Sequence, residues 1–263
     1  MYKAERQQEL LSLLKQNKES GFLSVHRLAK LMHASESTIR RDLAELEGQN
    51  LVKRAYGGAT TLEYLNQSIP LPMRQQTNRE EKQAIARRAA ALVKDGDVLF
   101  LDGSSTVLGV VPFLAGKRSL TVVTNSSSAA VKLGEMDIKV YCTGGLLTES
   151  SMAYVGRFAE EMVRGFHADL MLFSSAGISD AGEITDYSEE ETSLRKVMIS
   201  RARHRCFLCD NSKHGKVFCY TLCHLSQVDS MIADTPLPPS WLAMLNTSGG
   251  EDAHPGPAGS LSE

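Results

Sequence analysis

Long apolar runs are missing from these 263 residues. No window approaches the roughly 18 consecutive apolar positions that a membrane-spanning helix needs, so no such helix is expected. Aromatic residues make up only 6% and are scattered, which removes the stacking platform on which single-strand binders lay bases. The opening MYKAERQQELLSLLK is polar and amphipathic, with no apolar h-region and no small-residue cleavage site after it. A cytoplasmic location is therefore expected, with the five cysteines reduced. There are no internal repeats.

What is present reads as globular. Hydrophobic residues reach 42% and charged residues 23%, which excludes wholesale disorder. The net charge of −2 conceals an asymmetry: residues 1–88 carry 15 Lys/Arg against 10 Asp/Glu, and the remainder 14 against 21. A basic N-terminal part on an acidic body hints at nucleic acid at one end.

Residues 1–60 read as three short helices and a hairpin. Leu10, Leu11 and Leu14 share one side of the first helix, and Gly21 breaks it. Ser24 precedes Val25, Leu28, Ala29 and Met32, an i, i+3, i+4, i+7 set. Ser35 is placed to cap a third helix anchored by Ile39, Leu43 and Leu46. Leu51–Tyr56 reads as a strand and Gly57-Gly58 as a turn. Two short helices joined by a tight turn, the second rich in Ser, Thr and Arg, fit a helix-turn-helix. The major groove of B-DNA admits one helix, which needs an apolar face to anchor it and a polar face to meet bases and phosphates. Ser35, Ser37, Thr38, Arg40 and Arg41 cluster at the N-terminal half of the third helix, the end that reaches base edges. Lys53 and Arg54 on the hairpin suit the flanking backbone.

The stretch LSVHRLAKLMHASESTIRRDLAELEGQNLVKRAYGGA resembles the winged helix-turn-helix of DeoR-type bacterial transcription regulators. The shared core is S-x-x-T-I-R-R-D-L-x-x-L-E, followed by L-x-x-x-x-G-G-A. The resemblance puts Thr38, Arg40 and Arg41 on a recognition helix. Asp42 belongs to the same core; as an acid it is expected to orient a neighbouring arginine or cap backbone rather than face phosphate. Tyr56 stands where the family more often has His.

Residues 61–78 change texture, with Pro70, Pro72 and many Gln, Asn and Arg, and read as a linker. From 79 to 234 short apolar runs alternate with helical stretches. The runs are Val98–Leu101, Leu120–Val123, Ile138–Cys142, Leu170–Phe173, Cys206–Leu208 and, as a sixth, Val228–Ala233. That alternation implies a mostly parallel α/β sheet. Residues 235–263 form a C-terminal extension, with a brief apolar stretch at Trp241–Leu245 and an end, from Ser248, expected to be disordered.

Four polar loops follow strands: Asp102-Gly103-Ser104-Ser105-Thr106, Thr124-Asn125-Ser126, Gly144-Gly145, and Asp210-Asn211-Ser212-Lys213. Ligands of open α/β sheets bind outside the carboxyl ends of strands. Small residues there bring backbone N–H groups up to an anion, Asp suits hydroxyls, and Lys adds charge. A small phosphate-bearing molecule fits this set, although each loop by itself is more often a helix cap or a turn. The resemblance extends here too, over about residues 3–234, through I-A-x-x-A-A, D-G-D-V-L-F-L-D-G-S-S-T, V-V-T-N-S, T-G-G and D-x-S-K-x-G. It implies an effector domain of the ribose-5-phosphate isomerase and CoA-transferase type of fold, sensing a phosphorylated sugar or related metabolite. It places effector contacts at Asp102, Ser104, Ser105, Thr106, Thr124, Asn125, Gly144, Gly145, Lys196, Asp210 and Lys213. The plain reading of Lys196, in a helix that starts Glu189-Glu190-Glu191, is a surface ion pair. Gly103-Ser104 stands where many members have Ser-Gly, and His214 where Phe is usual.

Cys206-x2-Cys209 and Cys219-x3-Cys223, with His204, His214 and His224 nearby, have the spacing of a zinc site. However, Cys206 and Cys209 fall in an expected strand, where residues three apart face opposite ways. Buried structural cysteines are expected, with no metal and no cofactor. The leading function is a sequence-specific DNA-binding regulator, a repressor of a carbohydrate operon relieved by a phosphorylated sugar. Symmetric operators call for a homodimer or homotetramer. The competing function is a phosphosugar isomerase-like enzyme fused to a DNA-binding domain, with Asp102, Asp210, Lys196 and Lys213 moving protons. No positioned general base supports it, so a non-enzyme is expected.

Overall fold

The structure is a computed structural model and describes residues 3–16, 22–49, 51–55, 58–61 and 70–246. Tyr56, Gly57 and the tail from Ser248 lie outside the described residues.

The N-terminal unit runs α1 (Lys3–Gln16), β1 (Phe22–Ser24), α2 (Val25–Leu31), α3 (Glu36–Gly48), β2 (Val52–Ala55) and β3 (Gly58–Thr61). Two serines start its helices. Ser24 accepts from the Arg27 amide and Ser35 from the Thr38 amide, each satisfying an amide that has no partner within the helix. Between α2 and α3 the chain reverses at His33, whose φ is 49°. Leu10, Leu14, Leu28, Ile39, Leu43 and Leu46 meet in one core with Val52 and Ala59. β2 and β3 pair antiparallel, and β1 adds to the far side of β3. β1 has no counterpart in the sequence reading, because three residues are too few to show alternation.

The second unit is a three-layer α/β domain. It continues with α4 (Leu71–Gln76), α5 (Arg79–Leu92), β4 (Val98–Leu101), α6 (Ser105–Leu108), β5 (Thr121–Thr124), α7 (Ser127–Gly134) and β6 (Lys139–Cys142). A hairpin follows, β7 (Leu146–Thr148) and β8 (Ala153–Val155), then α8 (Arg157–Arg164) and β9 (Ala168–Phe173). The chain closes with β10 (Gly177–Ile178), β11 (Glu183–Asp186), α9 (Glu189–Ser200), β12 (Ala202–Cys209), β13 (Tyr220–His224), β14 (Ser230–Ala233) and α10 (Pro239–Met244).

Six strands form one parallel sheet in the order β14-β12-β9-β4-β5-β6. Both faces are covered, which is why these strands read as nearly continuous apolar runs. Leu99, Leu101, Val122, Leu172, Cys206 and Leu208 point into one layer with α5. Phe100, Val123, Phe173, Phe207 and Cys209 point into the other with α8 and α9. Cys206 and Cys209 thus belong to opposite layers, and burial pushes both thiols up to about 12. Among the described residues no three His, Cys, Asp or Glu side chains gather as a metal cluster, and no helix is long and apolar enough to cross a membrane.

Two structured segments lie where the sequence shows only a change of texture. Within the stretch read as linker, α4 buries Leu71 in the core, and the Leu71 amide donates to the Ser150 carbonyl. Beyond residue 234, α10 buries Trp241, whose indole N–H donates to the Asp180 carbonyl.

The strand order creates the site. From β4 the chain steps outward through β5 and β6, then returns to the other side of β4 as β9 and steps the opposite way. The reversal lies between β4 and β9, so the loops after these strands diverge and leave a crevice at the carboxyl edge.

Candidate functional site

At the first surface, α3 presents Ser37, Arg40 and Arg41 exposed and Thr38 half-buried. The Ser35 hydroxyl, besides capping the helix, lies 2.9 Å from that of Ser37 and 2.8 Å from that of Thr38. Arg40 pairs with Glu36 one turn earlier. Arg54 pairs with Glu47 at 2.6 Å, which ties the wing back to α3. Lys53 is in β2 opposite Thr60; its side chain is outside the described residues. Asp42 is buried and takes a two-pronged contact from the Arg6 guanidinium, 3.1 Å from Nη2. It does orient an arginine, but one from α1 and not a sequence neighbour. With Lys3 and Gln7 both donating to Glu45, this fixes α3 against α1 and leaves its polar face outward.

At the second surface, the loops after β12, β9, β4, β5 and β6 line the carboxyl edge. Asp102 spans the crevice. One carboxylate oxygen accepts from the Ser104 amide at 3.0 Å, the other from the Ser174 amide at 3.1 Å. Arg195 sits behind it, buried, 3.9 Å from Asp102 and 2.9 Å from Asp186. It also donates to the Ser174 carbonyl at 2.7 Å and pairs with Glu191. Burial opposes its charge, yet the three acids outweigh that and raise its pKa. This network fixes the β4 and β9 loops relative to α9.

Beside it is a cluster with excess positive charge. Lys213 donates to the Ser174 hydroxyl at 2.9 Å and to the Ser175 carbonyl. Lys82 donates to the Arg74 carbonyl and to the Ser105 hydroxyl at 3.2 Å. Burial, then the charge of Lys213, pull the Lys82 ammonium down to about 8. Asp210 accepts from Asn78 at 2.8 Å and from Ser212. Burial alone would raise its carboxyl, but Lys213 and those donors hold it below the ordinary range. The Arg74 guanidinium keeps Nε and Nη2 buried with no hydrogen-bond partner among the described residues. Three cations against Asp210 and the exposed Glu81, with donors unfilled, are poised for an anion. Helix α6 has only four residues, so side chains supply most of the positive charge and its dipole little.

The remaining residues sort by unspent hydrogen-bonding capacity. Ser104 caps α6 and the Thr124 hydroxyl accepts from the Ser126 amide, so both are engaged. Thr106 Oγ1 and Asn125 Oδ1 are buried and have no partner among the described residues. Gly103 is held against Asn125 and Ala153, where an added Cβ would come within 2.7 Å of the Ala153 Cβ. Gly144 and Gly145 both have positive φ, 64° and 107°, a turn that favours glycine. Lys196 is exposed and is not brought to the cluster; its charge is felt instead at Cys223 in β13. Sequence reasoning missed Arg74, Lys82, Asp186 and Arg195. A further cavity of about 330 Å³ lies between the β7–β8 hairpin and the start of α9, walled by Leu146, Val155, Tyr187 and Glu191 among others.

Residues 6–64 match the DeoR-like helix-turn-helix domain and residues 77–235 the DeoR C-terminal sensor domain. The chain belongs to the DeoR family. It is a DNA-binding transcriptional regulator of that family, and its sensor domain is the α/β unit described above. Its relatives include the HTH-type transcriptional regulator GolR of Listeria innocua, 33% identical over 90% of this chain and 92% of that one. The glycerol-3-phosphate regulon repressor of Escherichia coli is 30% identical over 93% and 96%. The HTH-type transcriptional repressor GlcR of Bacillus subtilis is 35% identical over 89% of each. Among solved structures, this DeoR-family chain is similar to ribose 5-phosphate isomerase A of Methanocaldococcus jannaschii, at 17% identity and a TM-score of 0.41 over 52% of this chain and 55% of that one.

Proposed function

We propose that this DeoR-family regulator is a repressor of a carbohydrate operon, released by a small phosphorylated sugar or polyol. The observation that carries the effector class is the cluster of Arg74, Lys82 and Lys213, with two buried guanidinium nitrogens unpartnered among the described residues. A dianionic phosphate is the group that such a cluster suits, since it takes several charge-assisted hydrogen bonds at once. The phosphate would rest on these cations and Ser105, with Asn125 and Thr106 free to meet hydroxyls. The rest of the molecule would extend toward the cavity, whose wall residue Glu191 pairs with Arg195, the arginine that also reaches Asp102. Asp102 and Arg195 hold the loops that carry these groups. The names of relatives that are repressors, one of them for a glycerol-3-phosphate regulon, support the same reading.

Residues 1–60 act as the reading head and 79–234 as the sensor, to which α4 on one side and α10 on the other are packed through Leu71 and Trp241. Two reading heads on a two-fold axis match a symmetric operator, so the working form is a homodimer or homotetramer, acting in the cytoplasm where the DNA is. No reaction is assigned. The acids of the crevice, Asp102, Asp186 and Asp210, each accept from several donors, an arrangement that suits holding loops and ligand in place.

The test is anisotropy of DNA from around the protein's own gene, with and without a panel of sugar phosphates and their unphosphorylated parents. Release by one phosphorylated compound and not by its parent is expected. It should be lost in Lys213→Ala while DNA binding persists. Release by an unphosphorylated sugar with equal potency would refute the phosphate assignment.

A further inference from the structure

The polar face of α3 carries an acid where DNA phosphates would repel one. Glu36 is the first residue of the helix, after the Ser35 cap. Its side chain is 45% exposed, and it stands one turn before Arg40, which is 58% exposed. One carboxylate oxygen is 3.2 Å from Arg40 Nη2 and the other 3.2 Å from His26 Nδ1. Both partners keep the carboxylate charged, His26 first. The pair therefore projects from the N-terminal end of the recognition helix, the part that enters deepest among base edges.

We propose that Glu36 and Arg40 act together as a reader of cytosine and guanine, Glu36 accepting from a cytosine amino group while Arg40 donates to guanine. This rests on the DNA-binding assignment and goes beyond it by naming a base. Two facts about the major groove carry it. The exocyclic amino groups there belong to cytosine and adenine. Adenine sets its N7 acceptor beside that amino group, which repels a carboxylate, whereas cytosine offers a C–H at that flank. Guanine O6 and N7, both acceptors, match the Arg40 fork. The contacts among His26, Glu36 and Arg40 hold the pair in one arrangement before DNA arrives, which lowers the ordering cost of contact. It also leaves Glu36 unfavourable over bare phosphate, so the acid penalises wrong registers as well as rewarding the right one. A carboxylate in a first turn is favoured by the helix dipole in any case, but that role does not depend on DNA sequence.

The experiment is selection from randomised duplexes by the full chain, followed by anisotropy on the selected site and its single-base variants. The unmodified protein is expected to require cytosine at one position of each half-site. That preference should weaken roughly tenfold or more in Glu36→Ala, with positions other than the guanine paired with Arg40 unchanged. Glu36→Gln should move the same position toward adenine, because a carboxamide matches adenine N6 and N7. Arg40→Ala should lose the guanine preference. Thermal melting confirms that each exposed-site variant is folded. An unchanged base preference in both Glu36 variants would overturn the inference while leaving DNA reading intact. Failure of the unmodified chain to select any sequence would overturn both.

Discussion

Lys82 should be a residue the free protein is better off without. Its ammonium falls from the ordinary 10.5 to about 8, which corresponds to about 3 kcal/mol of cost for keeping it charged at pH 7. That figure is net of its bonds to the Arg74 carbonyl and the Ser105 hydroxyl; removing the ammonium leaves both acceptors unfilled, at a cost of roughly 1–3 kcal/mol. Lys82→Met keeps the stem and removes the charge, so its ligand-free form should be more stable at pH 7 by about 1 kcal/mol. The sign follows from linkage. Between about pH 8 and 10.5 the unfolded chain holds a proton at this lysine that the folded chain has lost, so stability contributed here rises with pH. The variant should lack that rise. Effector binding should move the other way. Losing a charge-assisted contact to phosphate costs roughly 2–4 kcal/mol, a weakening of about 30-fold to 1000-fold. In the unmodified protein, affinity should fall as pH rises above about 8, because a neutral Lys82 no longer attracts the anion. Urea unfolding at pH 7 and 9.5, with effector titrations across the same range, measures each quantity. A clearly destabilised Lys82→Met that binds effector normally would refute the reasoning.

Four other outcomes follow from the same contacts. Arg195→Met should destabilise by about 3–5 kcal/mol in urea unfolding, since it leaves Asp102, Asp186 and Glu191 buried without their cation. Trp241→Ala should cost about 3–5 kcal/mol, because α10 is anchored by this ring packed edge-on against His214; a neutral outcome would show that α10 does not brace the sensor. Gly103→Ala should cost about 1–3 kcal/mol and weaken effector binding, as the new methyl meets Ala153; effector titration and melting check it together. Arg41→Ala should lower operator affinity and reduce the salt slope by about one, and an unchanged slope would remove Arg41 from the phosphate contacts.

Local pattern carried much of the fold. Apolar spacing marked α2 and α3 and their shared core, and serine caps marked their starts. The runs of β4, β5, β9, β12 and β14 were legible because most of their residues are buried on both faces, so composition alone announces them; β6, at the sheet edge, was legible although it is only half-buried. The polar loops after these strands were legible too, since small and polar residues following an apolar run are a local signal. β10, β11 and β13 had none: β10 has two residues, and β11 (Glu183–Asp186) and β13 (Tyr220–His224) mix polar with apolar residues instead of forming an apolar run.

The convergence of side chains was settled by tertiary structure. Lys82 reaches Ser105 only because α5 packs beside α6, and Arg74 joins them from a segment whose composition reads as a linker. Arg195 and Lys196 are adjacent, chemically alike, and separated by about 100° around the helix. Nothing local says which one turns inward; the acids Asp102 and Asp186, brought there by β4 and β11, decide it. The sequence by itself determined the helices of the reading head and the six strands of the parallel sheet, because hydrophobic periodicity and apolar runs are local information. Strand order, and with it the meeting of Asp102, Ser174, Arg195 and Lys213, depends on contacts between residues far apart in the chain, which only the packed sheet specifies.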